Sequence, residues 1–153
     1  AHSGTSSIAV TTDNTMWRVA EQTIDYVPSE TYTLSYWGKV SSTATTGRVE
    51  IYNATDGIVV ATANVASTTW TSGSLAFTAP AAAGKTLKVR LYQNKWQLTG
   101  FTSYYDDLTL FAATPADEQM VNRGFDSASG TDATLPANWT RATGTTASDA
   151  YLV

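Results

Sequence analysis

Apolar and polar residues alternate with a period of two through several separate stretches of this chain. That period sends successive side chains to opposite faces of an extended backbone, so it confines these stretches to β-structure. In TYTLSYWGKV, Tyr32, Leu34 and Tyr36 point one way, and Thr33, Ser35, Trp37 and Lys39 the other. GRVEIYN sets Val49 and Ile51 against Arg48, Glu50 and Tyr52. GKTLKVRLYQ sets Leu87, Val89 and Leu91 against Lys88, Arg90 and Tyr92. SGSLAFTAP turns Leu75 and Phe77 inward, and SYYDDLTLF sets Leu108 and Leu110 against Thr109 and Phe111. SSIAV and AEQTIDYV read as further strands near the start. Turn signals separate the runs: Pro28-Ser29-Glu30, Ala54-Thr55-Asp56-Gly57, and Pro80 through Gly84. No stretch sustains helical periodicity. The pattern predicts an all-β, antiparallel β-sandwich of roughly eight to ten short strands.

A chain of 153 residues is one domain long. At that size about 70% of the unfolded surface can be buried, so no covalent staple is needed. There is no cysteine, which excludes a disulfide framework and cysteine-ligated zinc. Only 14% of residues are charged and the net charge is −4. A phosphate backbone would be repelled, which disfavours nucleic acid as a partner. No apolar run approaches the roughly 20 residues that span a bilayer, so no membrane association is expected. The chain begins at Ala1 rather than Met, as a processed, tagged or excised product would. Five Trp and eight Tyr combine flat apolar faces with polar edges, which suits an extracellular β-domain that touches something uncharged.

Taken in order, TYTLSYWGKV, TTWTSGSLAFTAP, TLKVRLYQN and YYDDLTLF resemble the β-jelly-roll carbohydrate-binding modules of the family 4, 9, 16 and 22 type. Such modules open with an N-x-G-F-E strand and a Trp that closes the first hairpin. They continue with H-S-G-x-x-S-hydrophobic and end on Y-x-D-D-hydrophobic. Here HSGTSSIAV stands at 2–10, YYDDL at 104–108, NRGFD at 122–126 and NWT at 138–140. The family's opening is thus at the back of the chain. The resemblance implies a jelly roll whose C-terminal segment supplies the family's N-terminal strands. Residues 1–111 would be the main strands, 112–118 a linker, and 119–153 the completing strands. Three arrangements fit: a circularly permuted chain closing on itself, one period of a tandem array cut out of phase, or a tail that completes the next copy by strand donation. In each, Phe125 and Trp139 belong in a core.

Catalytic constellations are weak. His2, the single histidine, reads as part of the HSG turn, and without a cysteine no Ser-His-Asp or Cys-His set forms. Asp106 and Asp107 are adjacent on a strand, so they are expected on opposite faces and cannot flank one scissile bond. An enzyme is not expected. The resemblance implies instead a structural calcium ion where the opening and closing strands meet, held by Asp126 with Asp106 or Asp107; the alternative is that these aspartates cap turns or bond backbone.

For glycan binding, Trp37, Lys39, Arg48, Glu50, Tyr52, Lys88, Arg90 and Tyr92 would share one sheet face if their strands are neighbours. Rings would stack on the C–H faces of sugars, and the charged groups would bond hydroxyls. The expected site is Trp37, Arg48, Glu50, Tyr52, Arg90 and Tyr92, with Trp96 as a wall and Trp17 at the rim. The alternative is that the aromatics pack core and edges and the charges are solvated cross-strand pairs. Trp139 reads as core, matching the family's hairpin Trp, and Trp70 as core or edge packing. Asn53 and Asn138 head formal glycosylation sequons, which matter only in a eukaryotic secretory host.

Two functions follow from this reading. The first is a non-catalytic carbohydrate-binding module, extracellular or at the cell surface, that holds an attached protein to polysaccharide. The second is a structural repeat of a bacterial adhesin, fibre or filament, joined to other copies of itself head to tail through 119–153.

Overall fold

Ten strands form in the computed structural model, which describes residues 1–12, 18–94, 99–113, 140–141 and 150–152. They are β1 (Ile8–Thr11), β2 (Arg18–Ile24), β3 (Thr31–Val40), β4 (Gly47–Asn53), β5 (Ile58–Val65), β6 (Thr71–Thr78), β7 (Leu87–Gln93), β8 (Thr102–Ala112), β9 (Thr140–Arg141) and β10 (Ala150–Leu152). They build two five-stranded antiparallel sheets. Sheet I has the order β10-β1-β8-β3-β6 and sheet II the order β5-β4-β7-β2-β9. Successive strands cross from one sheet to the other except at β4–β5, which is the wrapped path of a jelly roll. No helix of the described residues is long and apolar enough to cross a membrane.

The inward positions of the alternating stretches meet between the sheets. Leu34 on β3 and Leu110 on β8 face Val49 and Ile51 on β4 and Leu87, Val89 and Leu91 on β7, all buried. Tyr32 stacks on Phe77, with ring centroids 5.5 Å apart, and its hydroxyl accepts the Val27 N–H at 2.8 Å. β5 carries no one-sided pattern; as an edge strand it leaves Ile58 and Val59 exposed. Asn53 is buried, and its side chain braces the β4–β5 turn through Asp56 and the N–H groups of Thr55 and Asp56. This sequon is therefore a turn device.

β8 extends one residue beyond the expected main segment. Ala112 pairs with Tyr32 and the Ala113 N–H bonds the Thr31 carbonyl, so the start of the expected 112–118 linker belongs to the sheet. In the tail, β9 pairs with β2 (Ala20↔Arg141) and β10 with β1 (Ile8↔Leu152, Val10↔Ala150), both within the same chain. Phe125 and Trp139 lie outside the described residues.

One side chain ties the two sheets together through polar atoms. Tyr105 on β8 crosses the core and is fully buried. Its hydroxyl accepts the Arg48 N–H at 2.9 Å and donates to the Tyr92 carbonyl, so sheet I is anchored to the backbones of β4 and β7 in sheet II. Burial pushes the phenol well above its ordinary pKa, keeping it a neutral donor. Gly47 makes the room: a Cβ there would come 2.5 Å from that oxygen. Tyr105→Phe should cost about 1–3 kcal/mol, the usual cost of orphaning buried polar groups. Urea denaturation measures it, and an unchanged midpoint would show that the hydroxyl bonds add nothing.

Candidate functional site

The outward residues of three adjacent strands in sheet I form one surface. β6 and the residue before it bring Ser74, Ser72 and Trp70; β3 brings Ser35, Trp37 and Lys39; β8 brings Thr109, Asp106 and Tyr104. The Lys39 ammonium stands 5.1 Å above the Trp70 ring and 4.9 Å above the Tyr104 ring, a cation–π arrangement on both sides. Beside Trp37 lies a pocket of about 430 Å³ lined by Ser35, Trp37, Ser72, Ser74, Asp107 and Thr109, with Tyr36 and Gly73 below. That volume falls within the roughly 300–1,000 Å³ of small-molecule sites. Gly73 makes room for the buried Tyr36 ring, which a Cβ there would overlap.

A β-bulge shapes this surface. Ser35 pairs with Thr109 but Trp37 pairs with Asp106, so β8 spends one extra residue opposite Tyr36. Asp107 takes up the difference with φ of 49°, a left-handed conformation that Asp tolerates better than most residues. The alternation therefore changes phase: Leu108 and Leu110 point inward as expected, and so does Tyr105, leaving Tyr104 outward. The expectation that Asp106 and Asp107 face opposite ways is corrected by this bulge. Both carboxylates turn to the same dipeptide at the start of the chain. Asp106 Oδ2 accepts the His2 N–H at 2.6 Å and the Ser3 N–H at 3.2 Å, and its Oδ1 accepts the Asp107 N–H at 2.9 Å. Asp107 Oδ2 lies 2.7 Å from His2 Nδ1, and its Oδ1 accepts the Ser3 hydroxyl. Burial pushes the Asp106 carboxyl up, against the opposing pull of these N–H donors.

Calcium needs six to eight oxygen ligands. Among the described residues no group of three or more His, Cys, Asp or Glu side chains is placed to hold a metal ion. The carboxylate oxygens of Asp106 and Asp107 point at hydrogen-bond donors. Asp126, the third residue of that expectation, lies outside the described residues.

The rest of the expected glycan site is on the other side of the molecule. β4 and β7 are neighbours in sheet II, whereas Trp37 is on β3 of sheet I, so the eight residues do not share one face. Alternation distinguishes inward from outward but carries no information about which sheet a strand joins. On sheet II the charges engage one another. Glu50, buried, takes Arg48 Nη2 at 2.6 Å and the Tyr92 hydroxyl at 3.2 Å, with Arg90 Nη1 3.8 Å away. Glu21 takes Arg90 Nε at 3.0 Å and the Lys88 ammonium. The Arg90 guanidinium lies 3.5 Å from the Tyr52 ring centroid, and Arg48 lies 4.8 Å from that of Tyr92. Burial, then the Glu50 charge, raise the Tyr92 phenol. Trp17 and Trp96 lie outside the described residues.

Sequence reasoning read His2 as part of a turn and Trp70 as core or edge packing, and did not single out Tyr104. His2 stacks on Trp37 with centroids 3.7 Å apart and planes 12° apart, and meets Trp70 edge-on at 6.1 Å. No local signal announces the grip of β8 on the start of the chain, more than a hundred positions away. Trp70 and Tyr104 could have been found from the register of β6 and β8 against Lys39.

A family model described as a carbohydrate binding domain matches residues 1–98, more than half of the chain. Among solved structures, the carbohydrate-binding module of PbXyn10C in its apo form is similar over 97% of this chain and 87% of its own, with a TM-score of 0.66 and 18% identity. The family 16 carbohydrate-binding module-2 is similar over 72% of this chain and 79% of its own, with a TM-score of 0.60 and 23% identity. A CBM4 structure covers 68% of this chain and 69% of its own, with a TM-score of 0.53 and 23% identity. At these identities the likeness is one of fold. No curated protein matches the chain at a significant level.

The sheet II network makes a separate prediction. Glu50→Ala leaves Arg48 and Arg90 beside a buried gap, so it should destabilise the fold by about 3–5 kcal/mol. Urea denaturation checks this, and a loss below about 0.5 kcal/mol would mark the network as a solvated surface.

Proposed function

The chain belongs to the carbohydrate-binding domain family, and from that premise we propose that it is a non-catalytic polysaccharide-binding module whose glycan sits on the outward face of sheet I, around Trp37. The observation that carries this is the pocket itself. Trp37 lines it together with the small hydroxyl residues Ser35, Ser72, Ser74 and Thr109, with Asp107, and with Tyr36 and Gly73. Sugars need that combination: an aromatic face for axial C–H groups, and short donors and acceptors for the hydroxyls. The site is open, so binding is modest and enthalpic, and Lys39 above Trp70 extends the polar rim. The working place of such a module is outside the cell or at its surface, holding an attached protein against its polysaccharide. The pairing of β9 and β10 with their own chain does not favour the strand-donation reading.

Affinity electrophoresis through xylan, mixed-linkage β-glucan, hydroxyethyl cellulose and mannan tests the proposal. The native chain should be retarded by at least one of them. Trp37→Ala should abolish the retardation and Tyr52→Ala, on sheet II, should leave it intact. Retardation by none of these glycans, or loss with Tyr52→Ala instead, overturns the assignment.

Calcium at Asp106, Asp107 and Asp126 stays a proposal of its own. The ion would have to displace the His2 and Ser3 donors. A bound ion stabilises by mass action, so a melting temperature that falls in excess chelator supports it and an unchanged one sinks it.

A further inference from the structure

The pocket beside Trp37 includes the indole and excludes the imidazole stacked on it. Ser35, Ser74 and Thr109 place that pocket toward one end of the strands, whereas His2 also meets Trp70, which lies toward the other end next to Lys39. His2 therefore covers one face of the indole and reaches Asp107 of the pocket lining, while its own ring is not part of that lining. We infer that His2 is a positioning residue of the binding site: stacked on one face of Trp37, it holds the ring so that the opposite face is presented to the glycan. The inference rests on the sugar-binding reading above and adds to it a residue that touches no ligand.

Three features make His2 suited to the task. Its position is over-determined: its own N–H and that of Ser3 bond Asp106, while its ring nitrogen and the Ser3 hydroxyl engage Asp107. Its ring is nearly parallel to the indole, at a separation that leaves no room for a sugar or water between them. Asp107 belongs to both sets, lining the pocket and gripping the imidazole, so the bulge that forms the pocket also seats the buttress. Without His2 the indole would lose its backing on the Trp70 side and sample other rotamers. A ligand would then have to order the ring as it binds, and ordering a side chain at an interface weakens binding.

His2→Ala and His2→Phe, each in the full chain, test this. The retardation measured with whichever of the four polysaccharides the native chain binds should weaken about three- to tenfold in His2→Ala, the range of one aromatic stacking contact. His2→Phe, which keeps a flat ring but not the bond to Asp107, should restore most of it. Thermal melts check that both variants stay folded. Unchanged binding in His2→Ala, or no rescue by Phe, overturns the inference. Tighter binding in His2→Ala overturns it too, because His2 would then be covering a surface that the glycan uses. A second readout needs no glycan: acrylamide quenching of Trp37 emission, isolated by difference against Trp37→Phe in each background. Quenching should rise in His2→Ala and return to the native level in His2→Phe. If no polysaccharide is retarded, the binding proposal fails alone and quenching still decides: a rise reversed by Phe supports the buttress, and no rise defeats it.

Discussion

The hydroxyl of Tyr105 sits where the two sheets must agree. It is held by an N–H of β4 and a carbonyl of β7, and it belongs to β8. A sandwich held by apolar contacts alone tolerates sliding of one layer over the other, because such contacts are non-directional. A hydrogen bond to a particular backbone atom does not. The geometry also sets the phase of β8. With Tyr105 inward, its neighbours Tyr104 and Asp106 must be outward, and the pairing with Lys39 and Trp37 follows. The outward surface is therefore ordered from within.

The two outer faces meet opposite demands with similar residue types. On sheet II, arginines, glutamates and tyrosines satisfy one another, and Glu50 is as buried as core leucines. On sheet I, aromatic rings and hydroxyls surround open space, and the principal cation, Lys39, rests on rings. Carboxylates there hold the start of the chain. An outward face rich in Trp, Tyr and charge is thus no single signal. What separates a surface left available from one already engaged is whether the polar groups have partners within the fold.

Most of the framework was legible. β3, β4, β6 and β7 each show clear alternation, since inner residues such as Leu34, Val49, Leu75 and Val89 must be apolar to enter the core. β5 was not, because an edge strand with Ile58 and Val59 in solvent has no buried face to impose the pattern. The site was legible only in part. Trp37 could be read as outward, but its company could not: sheet membership is decided by pairing across the whole chain. The bulge left no glycine to mark it, since Asp107 itself adopts the left-handed turn. That hid the phase change at Tyr104 and Tyr105, and with it the shared target of the two aspartates.

The seat of His2 against Trp37 also has a mechanical side. Residues 1–7 precede the first strand, and the described contacts nearest the start of the chain are those of His2 and Ser3 with β8. Tension applied through anything joined ahead of Ala1 would reach these contacts before it reached the β1–β8 ladder. The aromatic wall would feel a load on its tether while the sandwich behind it was still intact.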